Sequence, residues 1–254
     1  MISAGPNFNR LRFIAPASAV ARAAVGVSAC LLGQPVRYDG GDKYLAAAGE
    51  LSRELELLPI CPEVGAGLAV PRPPVRLVRD MDGAVRALGR DDAALDVTAQ
   101  LHGFAAVSAD RVRAQKLCGY IWKSRSPSCG IGSTPLFDPN GDIAALGSGI
   151  QAARIQRELP WLSCCEETAL QDDAAIAHFI LRCRLIFDLT EAMPTTTLAA
   201  LQRHYGFLSR HFSADAQQQL RQASSDGIGE KFLTAFQNGC GQLSGEELLE
   251  LFRV

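Results

Sequence analysis

From Ala24 to about residue 170, short β-like apolar runs alternate with longer stretches of helical spacing. Ala24–Ala29, Leu57–Ile60, Val75–Val78, Tyr120–Lys123 and Trp161–Cys165 read as strands. Tyr44–Glu54, Asp96–Lys116 and Ile150–Glu158 read as helices, with Gly119 suited to stop the second. Loops are expected at Gln34–Asp42 and Pro71–Pro74, and turns at Asp80–Gly83 and Pro139–Gly141. Strands separated by helices of this length imply βαβ units, so the expected class is α/β, a largely parallel sheet flanked by helices.

From Asp172 the pattern changes. Ala174–Leu189, Leu198–Phe212 and Glu246–Arg253 have helical spacing, Pro194 breaks the first from the second, and no β-like run of length follows. The chain therefore divides into an N-terminal extension (1–23, expected to be disordered), an α/β domain (24–170) and a small C-terminal all-α domain (171–254). Met1–Ala23 carries Arg10, Arg12 and Arg22, is interrupted by Pro6 and Pro16, and has no continuous apolar stretch of the kind a signal peptide needs. A cytoplasmic location is expected.

Composition removes several classes. With 48% hydrophobic residues and a net charge of −2, the chain is too apolar and too weakly charged to be disordered. It has no apolar run of about 18 residues to span a membrane. Twenty-five basic against 27 acidic residues give no global attraction to nucleic acid, so any such contact must be local. Nothing points to an obligate protein partner.

Eight cysteines (30, 61, 118, 129, 164, 165, 183 and 240) in a chain this long suggest metal ligands, nucleophiles or core fillers. Cys30 and Cys61 directly follow the first two strands, and Cys129 lies just beyond Tyr120–Lys123. Side chains at the carboxyl ends of neighbouring parallel strands converge on one crevice, so these three thiols can meet. Buried cysteine as a small hydrophobe is the plain alternative, but all three sit among loop-forming residues. Structural zinc prefers four ligands, often in C-x-x-C pairs, which are missing here. His102, His178, His204 and His211 all fall on helical stretches. A [4Fe–4S] cluster on three cysteines leaves one iron open to a soft ligand.

The stretches 27–43 (VSACLLGQPVRYDGGDK), 58–78 (LPICPEVGAGLAVPRPPVRLV), 96–98 (DVT) and 123–130 (KSRSPSCG) resemble the thiouracil desulfidase (TudS) family. The PNG turn at 139–141 and LPWLSCCEE at 159–167 fall where that family has its final loop and strand, so the resemblance covers about 25–170. Residues 178–189 and 198–212 are similar to the helical domain of the longer RudS-type members, which act on 4-thiouridine in transfer RNA, though this one is shortened. The resemblance implies that Cys30, Cys61 and Cys129 hold a [4Fe–4S] cluster. It also implies that a thiocarbonyl of a thiolated uracil, free or in transfer RNA, is hydrolysed to the carbonyl with release of sulfide.

On that reading Glu63, two residues after a ligand, is the expected base. Its alternative roles are to cap a helix or to pair with Arg72. Ser126 is expected to face the substrate. Ser28, Lys123, Ser128 and Arg72 are candidates for substrate binding, Ser128 with the option of fixing the turn. Arg72 and Arg76 with Lys123 and Arg125 could form a phosphate patch, and Asp39–Lys43 a mobile loop over the substrate. Asp96 and Thr98 read as a helix cap, and Cys118, Cys183 and Cys240 as packing residues. Cys164 and Cys165 depart from the family pattern, and either could supply a fourth ligand. A closed cluster would instead make the chain a non-catalytic iron–sulfur electron carrier or sensor. A zinc-stabilised binding module is the third alternative. Residues 190–254 hold five basic and seven acidic residues, which weighs against a strongly RNA-binding helical part.

Overall fold

The computed structural model describes residues 22–192, 197–225 and 229–252. Residues 1–21, most of the expected extension, and Pro194, the expected helix break, lie outside them. In chain order the first elements are β1 (Ala23–Ser28), α1 (Ala48–Glu54), β2 (Leu55–Ile60), α2 (Pro62–Gly65), β3 (Val75–Arg79) and β4 (Val85–Gly89). There follow α3 (Thr98–Ala114), β5 (Gly119–Trp122), β6 (Thr134–Phe137), β7 (Ile143–Gly147), α4 (Ile150–Glu158) and β8 (Ser163–Glu166). The chain continues with α5 (Asp173–Ala192), α6 (Leu198–Ser209), α7 (Ala214–Ser225), α8 (Glu230–Gly241) and α9 (Gly245–Phe252).

The fold is α/β, as expected. Its main sheet has the order β2-β1-β5-β8, all parallel. The two central strands are apolar almost throughout, as strands covered on both faces must be. Tyr120 and Trp122 point to the same side of β5 and stack at 3.5 Å. Gly26 on β1 makes room for them, since a Cβ there would sit 2.6 Å from the Tyr120 ring. On the other face, α5 lies so close that a Cβ on Gly119 would meet Cys183 Sγ at 2.5 Å. One apolar cluster runs from Ala23 on β1 through Ile180 and Leu185 on α5 to Leu248 on α9. The sheet and the C-terminal helices therefore share a core across the expected boundary at 170/171.

Several elements differ from expectation. Ala23, assigned to the extension, begins β1, and Arg22 before it donates to Ser52 O at 2.6 Å. The helix expected from Tyr44 starts at Ala48. Tyr44 N–H is taken by Asp42 and Leu45 N–H by Leu31 O, which ties that stretch to the loop before it. Val75–Val78 is not part of the parallel sheet. It belongs to a second, mixed sheet of order β4-β3-β6-β7, in which both outer pairs are antiparallel hairpins. The turns at Asp80–Gly83 and Pro139–Gly141 connect these hairpins. The buried stripe of α3 (Leu101, Ala105) covers this sheet through Leu77, Ala87 and Leu136. In the C-terminal part α7 and α8 were not foreseen. Among the described residues, no helix is long and apolar enough to cross a membrane.

Candidate metal centre and catalytic pocket

In the main sheet the chain steps from β1 outward to β2 and then back across β1 to β5, so the strand order reverses between β1 and β5. Open parallel sheets bind ligands at the carboxyl end of such a switch point. A cavity of about 390 Å³ lies there, and its lining includes Cys30, Cys61 and Cys129.

Each cysteine arrives on a different device. Cys30 lies in the 3-10 turn Ala29–Leu32, which ends at Gly33 in the left-handed region (φ +79). Its carbonyl accepts the N–H of Lys43 at 2.9 Å, folding the glycine loop back beside it. Cys61 caps the short helix α2, whose Pro62 stands at the first position, where no N–H is needed. Cys129 rides on the loop 123–133. There the carbonyls of Pro127 and Ser128 accept the N–H groups of Ile150 and Gln151 at 2.9 and 3.1 Å. Gly149 offers α4 no side-chain cap, so the ligand loop itself satisfies the orphan donors of that helix. Cys129 is thereby held at the positive end of α4.

Burial pushes the Cys30 thiol up to about 11, with Arg37 opposing, and raises Cys61 and Cys129 as well. All three thiols line the same cavity. Such thiols become thiolates when a cation compensates them. The donors around the cavity are three thiols with no imidazole, a soft set that fits an iron–sulfur cluster. Among the described residues, no three or more His, Cys, Asp or Glu close together tightly enough to hold a single metal ion.

Glu63 lines the cavity with both carboxylate oxygens engaged. Oε2 receives Arg72 at 2.7 Å, and Oε1 receives the Ser128 hydroxyl at 3.0 Å. The Arg72 guanidinium is completed by the carbonyls of Ala69 and Val36 at 3.0 and 2.9 Å. Arg72 and Ser128 therefore hold Glu63. Ser128 is fully buried and is not among the lining residues, whereas Ser126 is. Ser126 Oγ accepts the N–H groups of Ser128 and Cys129 at 3.3 and 3.2 Å, so it shapes the turn, and among the described residues its own proton has no acceptor. Ser28 Oγ accepts the Lys123 N–H at 2.9 Å, and its hydroxyl addresses Cys129, whose pKa it lowers. The Lys123 ammonium is taken up by Glu167 and Ser124.

Of the suggested phosphate patch, Arg72 and Lys123 are thus paired within the protein. Arg76 lies over the Phe137 ring, and Arg125 alone lines the cavity without such a partner among the described residues. Cys164 and Cys165 are not among the lining residues. Asp96 accepts the N–H of Thr98 at 3.0 Å and pairs with Arg86 ahead of α3, whose N-cap is Val97 and has no side-chain cap, so the cap expected at Asp96 and Thr98 falls one residue away. Sequence reasoning passed over Arg37 and Arg90, which also line the cavity. Glu166 and Glu167 lie in the LPWLSCCEE stretch that carries the family resemblance, but nothing in their spacing marks them as site residues.

The model of the 2-thiouracil desulfurase family matches residues 25–167. The chain belongs to that family. The family match contains the three cysteines, Glu63 and the whole Cys129 loop, and it ends before α5. A solved structure described as the [4Fe-4S]-dependent thiouracil desulfidase TudS is 34% identical, covering 59% of this chain and 93% of its own, with a TM-score of 0.48. An uncharacterised protein of Bacillus subtilis (strain 168), YbbK, is 28% identical over 139 residues, 52% of this chain and 88% of its own length.

Proposed function

We propose that this desulfurase-family enzyme is a [4Fe–4S]-dependent desulfidase that hydrolyses the thiocarbonyl of a thiolated uracil to the carbonyl and releases sulfide. The observation that carries the reading is the meeting of three thiols from three strand ends in one cavity that Glu63 also lines. Cys30, Cys61 and Cys129 would hold the cluster. Held by three protein thiolates, that group would supply soft Lewis-acid chemistry suited to a thiocarbonyl sulfur.

The remaining work falls to the chain. Glu63, fixed by Arg72 and Ser128, takes a proton from the water whose oxygen adds to the thiocarbonyl carbon as the carbon–sulfur bond breaks. Ser126, with its proton free, donates to an acceptor on the ring. Of the six cationic residues that line the cavity, Arg37, Arg72, Arg90 and Lys123 are ion-paired with Asp39, Glu63, Asp91 and Glu167, which leaves Lys43 and Arg125 without an ion pair among the described residues. Those two favour an anionic substrate, a thiolated nucleotide such as 4-thiouridine in transfer RNA, over the neutral base. All eight cysteines are free, which suits the reducing cytoplasm.

The test is protein purified without oxygen, with its visible spectrum recorded and iron and sulfide counted. A brown protein with about four irons per chain supports the reading; a colourless protein containing zinc overturns it. Glu63→Gln is expected to keep the chromophore and lose roughly 10²–10⁴-fold in turnover. Turnover on 4-thiouridine-containing transfer RNA should exceed that on free 4-thiouracil and fall as salt rises. Salt-independent turnover of the base, with the RNA untouched, would reverse the choice of substrate.

A further inference from the structure

Glu166 is the last residue of β8, and Glu167 opens the 3-10 turn Glu167–Ala169 that follows it. Each catches a different limb of the loop that carries Cys129. On the entry limb, Glu167 accepts Ser124 N–H at 2.6 Å on Oε2, and the Ser124 hydroxyl and the Lys123 ammonium on Oε1. On the exit limb, Glu166 Oε1 accepts both Ile131 N–H, at 2.6 Å, and the Ser133 hydroxyl. Ser133 Oγ in turn accepts the N–H of Arg125 at 2.7 Å. Arg125 is a non-glycine residue in the left-handed region (φ +59), a backbone disfavoured for a side chain with a Cβ and held only where the surroundings impose it. Arg125 lines the cavity, and its guanidinium has no hydrogen-bonding or ion-pair partner among the described residues.

We propose that Glu166 and Glu167 are positioning residues that clamp the two limbs of the Cys129 loop, and that Glu166, acting through Ser133, aims Arg125 at the substrate. The last clause rests on the desulfidase reading; the clamp itself does not. The bonding makes an asymmetric demand. Both Glu166 bonds end on one oxygen, so a carboxamide can replace it. Glu167 uses both oxygens, so a carboxamide would turn an NH₂ toward a donor and lose the charge facing Lys123.

The experiment compares Glu166→Gln, Glu166→Ala, Glu167→Gln and the milder Ser133→Ala in the full chain. Limited trypsin digestion reads the loop directly, whether or not a cluster is bound. Glu166→Ala and Ser133→Ala should speed cleavage after Arg125, and Glu167→Gln cleavage after Lys123, each by about tenfold, while Glu166→Gln digests like wild type. In the anaerobic enzyme, Ser133→Ala should raise KM for the thiolated substrate about tenfold with little change in kcat, as expected for one lost charged hydrogen bond. Wild-type digestion of Glu166→Ala and Ser133→Ala, or equal damage from Glu166→Gln and Glu166→Ala, would overturn the clamp. Faster cleavage with an unchanged KM would overturn the role assigned to Arg125. Failure of the desulfidase reading would show as absent turnover in wild type, with the digestion pattern intact.

Discussion

Gly149 is where the ligand loop and α4 come closest, and its replacement by alanine tests whether that approach holds Cys129 in place. The backbone there (φ −62, ψ 156) suits any residue, so alanine meets no conformational strain. The obstacle is space. A Cβ would lie 2.5 Å from Ser128 C, 2.6 Å from Cys129 N and 2.8 Å from Ser126 O. All three are backbone atoms and cannot rotate away as a side chain would. Restoring an ordinary 3.4 Å contact requires the loop to retreat by about 0.9 Å, which also stretches the bonds from Gly149, Ile150 and Gln151 to the loop carbonyls.

Overpacking costs about 1–3 kcal/mol, and each strained hydrogen bond adds up to about 1 kcal/mol. A loss of about 2–3 kcal/mol is expected, which for a chain of this size lowers Tm by about 4–12 °C. Because the retreating atoms include the Cys129 amide, iron content after anaerobic reconstitution should fall with it. Gly49→Ala on α1, where a Cβ meets nothing within 4 Å, is the control. It should keep its iron and gain up to about 1 kcal/mol. Wild-type Tm and iron content in Gly149→Ala would refute the reasoning.

Two further outcomes follow from the burial of thiols and histidine. Replacing Cys30, Cys61 or Cys129 singly by alanine should abolish bound iron, whereas alanine at Cys118, Cys183 or Cys240, or serine at Cys164, should leave the iron count unchanged; the visible spectrum and iron assay decide it. Burial, reinforced by Arg182, holds His178 below its ordinary value of 6.5, with its ring nitrogen facing Cys240 O at 3.4 Å. A base whose folded pKa is depressed takes up its proton first in the unfolded chain, so its stabilising effect is complete above about pH 6.5 and declines as pH falls toward the folded value. The drop in Tm between pH 7.5 and 5.5 should therefore shrink in His178→Gln, and an unchanged drop would exclude His178 as its source.

The parts legible in the sequence are those written locally. β1 and α3 carry long enough apolar patterns to be recognised alone, β5 shows as the unbroken run Tyr120–Trp122 after a helix stop, and a cysteine directly after a buried strand already stands at the ligand-binding edge of a parallel sheet. The second sheet was missed because Val85–Gly89, Thr134–Phe137 and Ile143–Gly147 are four or five residues long, contain glycine or proline, and become strands only by pairing. Their turns were visible and the strands beside them were not. The same divide runs through the site. That Glu63 stands near a ligand follows from two residues of spacing. That Ser128 holds it depends on a partner 65 residues away, as Lys123 N–H depends on Ser28 at a distance of 95. Two neighbouring glutamates at a strand end look in sequence like solvated charge. One ends the strand and the other opens a 3-10 turn, and only the folded loop, 33 to 44 residues earlier in the chain, supplies the donors that make each a ligand of the backbone. Residue types near the cluster site are thus readable from spacing. The division of labour between lining and holding residues is a property of long-range hydrogen bonds, which no local pattern encodes.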